Sequence, residues 1–216
     1  MFLSAGYALN LEETIGNILE VECLKNRSVL VTGATGLIGS ALVDTLIWWN
    51  KERNKNLTIY AAGRSEDKFR DRFSAFMDSK FLKFVQYDAT SDVTFDFRVD
   101  YIIHAAGNAH PMAYTSDPVG TMLSNLIGTN NLLNYAVRHS VSKVLYISSS
   151  EVYGQKPDNQ SYKEDDYGFV DLLNPRACYP SSKRAAETLC VSYFKQYGLD
   201  VLIARPGHIY GPTMTE

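Results

Sequence analysis

Cysteine is scarce in this 216-residue chain: Cys23, Cys178 and Cys190 are the only three. They are scattered with no metal-ligand spacing, which argues against a cysteine-built metal site, and no metal is expected. Reduced thiols in a cytoplasmic protein are the simplest reading. Long apolar runs are missing too, so no membrane span is expected, and the start Met1-Phe2-Leu3-Ser4-Ala5-Gly6 lacks the basic residues that open a signal peptide. Nor is there an excess of one charge. With 21 Lys and Arg against 24 Asp and Glu, the net charge of -3 gives no reason to expect nucleic-acid or membrane-surface binding. Internal repeats, low-complexity segments and flexible linkers are absent from the sequence.

What is present is ordinary for a folded protein, 45% hydrophobic and 21% charged. The length allows one large domain, or one domain and a fragment of another. The most informative stretch is Ser28-Val29-Leu30-Val31-Thr32-Gly33-Ala34-Thr35-Gly36-Leu37-Ile38-Gly39. A short β-branched run breaks into glycines spaced G-x-x-G-x-x-G and then becomes helical. The first glycine permits a tight strand-to-helix turn, the second lets the backbone approach a pyrophosphate, and the third lets the helix pack close to its strand. Free N–H groups and the helix dipole would then face phosphates. An ordinary Gly-rich turn is the bland alternative.

Leu11, Ile15, Ile18, Leu19 and Glu22 fall at helical spacing, so an amphipathic helix over 11–25 is expected before the first strand. Strands are expected at 28–32, 57–62, 82–87, 101–106, 143–148 and 200–204. Helices are expected from the glycines to about residue 50, over 67–77 with Phe69, Phe73 and Phe76 on one face, over 118–139 and over 180–197. Residues 154–175 are polar and turn-rich and read as a loop over a site. Alternating strands and helices, with strands apolar enough to be buried on both faces, give an α/β fold: a doubly wound parallel sheet with helices on both faces. Ligands in such folds bind at the carboxyl ends of the strands, where every motif below falls.

Tyr179 and Lys183 lie four apart near the start of a helix and so project from one face. A free tyrosine is a poor base at neutral pH, but a nearby ammonium would favour its phenolate. The pair could then take a proton from a substrate hydroxyl as hydride leaves the same carbon. With 14 tyrosines, a chance Y-x-x-x-K is also readily explained. Ser148-Ser149-Ser150-Glu151 follows the fifth strand, where a run of hydroxyls and a carboxylate serves either a polar ligand or an N-cap. His104-Ala105-Ala106-Gly107 closes the fourth strand with small residues that suit close approach of a cofactor, His104 itself reading as a packed histidine. Asn125 is a poor helix former mid-helix, placed there either to hold the site's backbone or to face solvent.

Together these residues resemble the extended short-chain dehydrogenase/reductase family, the NAD-dependent nucleotide-sugar epimerases, dehydratases and decarboxylases. The resemblance covers about residues 27–213 and rests on the order of TGATGLIG at 32–39, HAAG at 104–107, Asn125, SSSEVYG at 148–154, Tyr179-x-x-x-Lys183 and Arg205-Pro206-Gly207. It implies an N-terminal helical extension over 1–26, then an NAD(P)-binding Rossmann domain over 27–216, ending before most of a substrate domain. Within the family the chain most resembles UDP-glucuronate decarboxylases, through Ser149-Ser150-Glu151-Val152-Tyr153-Gly154, Arg176-Ala177-Cys178-Tyr179 and Lys183-Arg184-Ala185-Ala186-Glu187-Thr188-Leu189-Cys190.

By that resemblance Ser149, Tyr179, Lys183 and Glu151 would be catalytic, with Tyr179 the base and Lys183 binding the nicotinamide ribose. The cofactor would lie on Gly33, Thr35, Gly36, Leu37, Ile38, Gly39, Arg64, Asp88, Ala89, Ala105, Ala106, Gly107, Ser148, Tyr179, Lys183 and Pro206. Ser149, Ser150, Glu151 and His208 would meet a nucleotide-sugar, UDP-linked by the resemblance. The implied reaction oxidises the sugar at C4 transiently; the resulting ketone is β to a C5 carboxylate, which leaves as carbon dioxide, and the returning hydride regenerates the cofactor.

The sequence departs from the family pattern in three places. The second strand ends Ala61-Ala62-Gly63-Arg64-Ser65 without the acidic residue that usually meets the ribose 2′-hydroxyl, so NAD follows by family habit while Arg64 would suit the 2′-phosphate of NADP. His208 replaces the family's asparagine after the sixth strand. The family also continues for roughly another hundred residues, a domain-scale piece. Dehydratases usually carry Asp-Glu where this chain has Ser150-Glu151, and simple 4-epimerases usually lack the glutamate. Both remain alternatives to the decarboxylase, as do an NADP-dependent reductase and a dinucleotide-binding module without turnover. Relatives usually pair the two long helices in a homodimer, for which Met122, Leu126, Leu133, Val137, Leu189 and Tyr193 are candidates, though these would serve packing on the sheet equally well.

Overall fold

The computed structural model describes residues 4–17, 21–109, 111–157 and 161–211. Six strands, β1 (Ser28–Thr32), β2 (Thr58–Gly63), β3 (Leu82–Gln86), β4 (Tyr101–His104), β5 (Lys143–Ile147) and β6 (Val201–Ala204), form one sheet in the order β3-β2-β1-β4-β5-β6. Every pairing is parallel. The strand order reverses beside β1, so the carboxyl ends of β1 and β4 flank the switch point where doubly wound sheets bind ligands. The expected α/β architecture is the one observed.

Alternation along the strands builds two cores. Leu30, Ala62, Ile102, Val144 and Tyr146 face α5 (Pro118–Arg138) and α6 (Cys178–Tyr197). Val29, Val31, Ile59 and Ala61 face α2 (Leu37–Arg53) and α3 (Glu66–Arg72), where Phe69, Phe73 and Phe76 are buried as their spacing predicts. The central strand β1 is buried on both sides, which is why it reads as a continuous apolar run. Leu133 and Tyr193 are buried inside the chain, Tyr193 donating its hydroxyl to Asn134 Oδ1 at 2.7 Å and so tying α6 to α5.

The N-terminal expectation needs correction. In place of one helix over 11–25 there is α1 (Ala5–Asn17) followed by a 3₁₀ turn, Val21–Leu24; Ile18 and Leu19 lie outside the described residues. Ser4 Oγ accepts from the Tyr7 N–H at 3.3 Å, an N-terminal cap upstream of the apolar spacing. Leu11 and Ile15 are buried as expected. Tyr7 donates to the fully buried Asp44 of α2 at 2.7 Å, and Asp44 also pairs with Arg72 of α3. Glu12 accepts from Trp48 Nε1 and Arg53 Nη2, each at 2.9 Å, which fastens α1 along α2.

The helix expected over 67–77 is likewise broken, into α3 and the 3₁₀ turn Ser74–Phe76. A short helix, α4 (Pro111–Ser116), had no sequence signal of its own length. The 154–175 segment is a loop, held down by cations. Arg184 donates to Val152 O at 2.6 Å and Gly168 O at 2.8 Å, and Arg205 donates to Glu164 O at 2.7 Å. Among the described residues no helix is long and apolar enough to cross a membrane, and no cluster of His, Cys, Asp and Glu could hold a metal ion.

Candidate active site

The glycine turn leaves β1 with Gly33 at φ +68°, a conformation that L side chains rarely adopt. A Cβ there would also lie 2.7 Å from Ala105 O, so the turn presses on the end of β4. A Cβ on Gly39 would run into Gly33 O, which lets the first turn of α2 pack onto the turn itself. Gly36 is the N-cap of α2 and has no side chain to cap it, leaving the N-terminus of a 17-residue helix open to a ligand. Leu37 and Ile38 follow, half-buried, and share a cavity of about 380 Å³ with Tyr7, Ile147, Pro206 and Tyr210.

His104 ends β4 as a buried post. Its Nδ1 lies 2.8 Å from Thr32 Oγ1 and its Nε2 3.2 Å from Thr129 Oγ1. Thr129 gives its own proton to Asn125 O at 2.6 Å, so it accepts from His104 Nε2–H, and His104 Nδ1 accepts from Thr32. Thr32 Oγ1 in turn accepts from the Ala106 N–H at 3.2 Å, fixing the small-residue stretch Ala105-Ala106-Gly107. Burial, and secondarily the Lys183 charge, push the His104 pKa down to about 3, so the ring is neutral. The packed-histidine reading describes this arrangement.

Asn125 is buried rather than solvent-facing. Its amide donates to Thr121 O at 3.0 Å and to Ser182 Oγ at 3.2 Å, and Ser182 donates to Tyr179 O at 3.0 Å, so α5 holds the turn of α6 that carries Tyr179. Its Oδ1 has no hydrogen-bond partner among the described residues and lies against Gly107, where a Cβ would meet it at 2.7 Å and Lys183 Nζ at 3.7 Å.

Tyr179 and Lys183 share a face of α6, and both are buried. Lys183 Nζ donates to Ile147 O at 2.8 Å and sits 4.8 Å above the Tyr146 ring and 5.8 Å from the Tyr179 ring centre. Burial pushes its pKa down to about 8. The Lys183 ammonium alone does not set the Tyr179 pKa, which the fold raises on balance. Burial raises Tyr179, with the Glu151 carboxylate adding to the rise, while the neighbouring Ser149 and Tyr114 hydroxyls pull it back. The ammonium points at the backbone of β5, not at the phenol. Tyr114 of α4, which no motif singled out, stacks on Tyr179 with ring centres 4.6 Å apart and donates to Ala109 O at 2.7 Å.

The serine run divides its work. Ser148 is buried and donates to Glu187 Oε1 at 2.6 Å, inside a network closed by a two-pronged Arg205–Glu187 pair. Ser149 faces Tyr179 and its Oγ accepts from the Glu151 N–H at 3.2 Å. The Ser150 N–H donates to Pro206 O at 2.9 Å, tying that loop to the end of β6. Glu151 is paired with Arg176, Oε1 to Nη2 at 2.6 Å and Oε2 to Nη1 at 2.9 Å. His208 is exposed on the loop after β6. Past β3, Asp88 Oδ1 accepts from Thr90 N and Oγ1, which lowers its pKa, and Ala89 packs so closely on α5 that a Cβ on Gly128 would lie 2.7 Å from its oxygen.

The carboxyl ends of β1, β4 and β5 therefore bring the glycine turn, the Ala105–Gly107 stretch, Ser149, Tyr179 and Lys183 to one rim of the sheet. The model of the NAD dependent epimerase/dehydratase family matches residues 29–216. The chain belongs to this family. UDP-glucuronic acid decarboxylase 5 of Arabidopsis thaliana is 36% identical over 195 residues, covering 89% of this chain and 54% of that protein. The solved structure of dTDP-glucose 4,6-dehydratase from Streptomyces venezuelae with NAD and TYD bound has a TM-score of 0.70 and 28% identity, covering 82% of this chain and 55% of that one. UDP-glucuronic acid 4-epimerase from Bacillus cereus in complex with NAD has a TM-score of 0.69 and 25% identity, covering 87% and 58%. The chain spans about half the length of the curated relatives it matches.

At the glycine turn and the Gly107 end, the residues present fit a dinucleotide of the kind the family name implies. Gly33 and Gly39 keep the turn free of side chains, the uncapped α2 N-terminus suits phosphate, and the unpartnered Asn125 Oδ1 beside Lys183 leaves polar capacity at the Gly107 end.

Proposed function

We propose that the chain is the dinucleotide-binding part of an enzyme that modifies a nucleotide-sugar, and that the reaction is decarboxylation of UDP-glucuronate. The observation that carries the reading is Tyr179, buried at the rim with Ser149 against its hydroxyl and Lys183 one helical turn on. The names of the similar curated proteins support the choice of substrate. Residues 33–39, Asp88, Ala89, Ala105–Gly107, Lys183 and Pro206 would hold the cofactor, with Arg64 at its adenosine end.

A bound dinucleotide supplies a reversible hydride acceptor. Tyr179 takes the proton of the C4 hydroxyl, and Ser149 hydrogen-bonds the same oxygen. The buried Lys183 offers donors where the ribose would lie and a positive charge that favours the phenolate once substrate excludes water. A C4 ketone is β to the C5 carboxylate of a uronic acid, so carbon dioxide leaves into an enolate. Glu151, paired with Arg176, would handle the proton that returns to C5. Ser150 stands where dehydratases carry aspartate, so the donor for a leaving hydroxyl is missing.

The exposed apolar residues Met122, Leu123 and Ile127 of α5 and Val191, Phe194 and Tyr197 of α6 favour a homodimer through these two helices, with Met122 carried over from the sequence reading and Leu133 and Tyr193 excluded from it. Product analysis tests the activity: carbon dioxide lost from UDP-glucuronate supports it, whereas a uronate of unchanged mass and inverted C4 makes the protein an epimerase, and loss of water makes it a dehydratase.

A further inference from the structure

The adenosine end of the site carries the opposite charge from the one NAD requires. β2 lies beside β1 with Thr32 opposite Ala62, so Gly63 and Arg64 emerge next to the glycine turn, and the Ala34 N–H donates to Ala62 O at 3.2 Å. On the other side, Gly63 pairs with Gln86, whose side chain donates to Arg64 O at 3.0 Å and fixes the backbone there. The ribose 2′-hydroxyl of NAD calls for a carboxylate at this strand end. None is free. Glu66, the first acidic residue after β2, is folded back onto Arg70, its Oε1 3.1 Å from Arg70 Nε. Asp88, at the end of β3, spends Oδ1 on Thr90.

What the strand end presents instead is Arg64. It is exposed, and among the described residues its guanidinium is in no hydrogen bond or ion pair; its electrostatic neighbour is Asp88. The backbone just before it is open, since a Cβ on Gly63 would meet nothing within 4 Å. An exposed planar fork of donors matches a phosphate monoester and has nothing to offer a neutral hydroxyl that a carboxylate would not offer better.

We infer that Arg64 selects the 2′-phosphorylated dinucleotide, so that this member of an NAD-dependent family takes NADP. The inference rests on the dinucleotide reading above but not on the decarboxylase reading. Asp88 limits the strength of the site, since it faces the same cation and repels a phosphate that approaches too closely.

Calorimetric titration of the protein with NADP⁺ and with NAD⁺, in the absence of any sugar, tests it. The expected result is binding of NADP⁺ about tenfold or more tighter, a preference abolished in Arg64→Ala and partly retained in Arg64→Lys. Because Arg64 is exposed, these variants keep the fold, which circular dichroism checks. Equal or tighter binding of NAD⁺ by the unaltered protein, or a preference for NADP⁺ that survives Arg64→Ala, overturns the assignment while leaving the dinucleotide reading intact. Binding of neither overturns both.

Discussion

Arg176 holds Glu151 with both prongs of its guanidinium, at 2.6 and 2.9 Å. The same guanidinium lies 4.6 Å from the centre of the Tyr114 ring, which stacks on Tyr179, so one cation organises both the carboxylate and the tyrosine of the rim.

Arg176→Ala therefore separates stability from chemistry. The pair is about half exposed, and its loss costs only about 0–1 kcal/mol, so the thermal midpoint moves little. Arg176 lowers the Tyr179 pKa and Glu151 raises it. Without the arginine, the base is harder to ionise, and the alkaline-rising limb of the turnover profile shifts to higher pH. A profile that keeps its position would show that Arg176 does not act on Tyr179.

His104 gives a pH signature in the folded chain itself. Its pKa falls from 6.5 to about 3 on folding, so between those values the unfolded state holds a proton that the folded state does not. Stability then rises with pH across this window and is lost as pH falls from about 6.5 toward 3. Urea unfolding at several pH values should show a steeper dependence for the unaltered protein than for His104→Gln, by on the order of 1 kcal/mol per pH unit. Parallel slopes would mean that the ring titrates normally.

Lys183 opposes stability to function. Its pKa is depressed to about 8 by burial, so at neutral pH the fold carries an ammonium it does not stabilise fully. Lys183→Met should leave the thermal midpoint unchanged or raised at pH 7 while abolishing turnover. In the unaltered protein, stability gains as pH rises above about 8, where the folded state releases the proton and the unfolded state keeps it. A midpoint lowered by the substitution would contradict this account of the charge.

Tyr7→Phe probes the seating of α1. It removes a 2.7 Å hydrogen bond to Asp44, which has no exposed surface and whose Oδ1 has no hydrogen-bond partner among the described residues. A loss of about 1–3 kcal/mol in denaturant unfolding is expected. No change would place the anchorage of α1 in the Glu12 contacts instead.

Sequence and structure agree most closely where one physical requirement dominates. The six strands were legible because a parallel sheet buries both faces, and the glycine turn because Gly33 and Gly39 each meet backbone that no side chain could tolerate. The helix over 11–25 was misplaced because Ser4 caps it from outside the apolar spacing. Tyr114 and the Arg176–Glu151 pair were not legible as neighbours of Tyr179: an aromatic on a six-residue helix has no periodic signal, and residues 25 apart meet only through the fold. The net rise of the Tyr179 pKa was not legible either, since it comes first from burial, and the four-residue spacing fixes the face that Lys183 shares but not the Ile147 carbonyl it turns to.

The most direct test is mass spectrometry of UDP-glucuronate incubated with dinucleotide and this chain, alongside a version extended through any natural continuation and the Tyr179→Phe variant of each. The account predicts loss of carbon dioxide that disappears with Tyr179→Phe. Unchanged substrate from both forms, with dinucleotide binding demonstrated in the same samples, would contradict it.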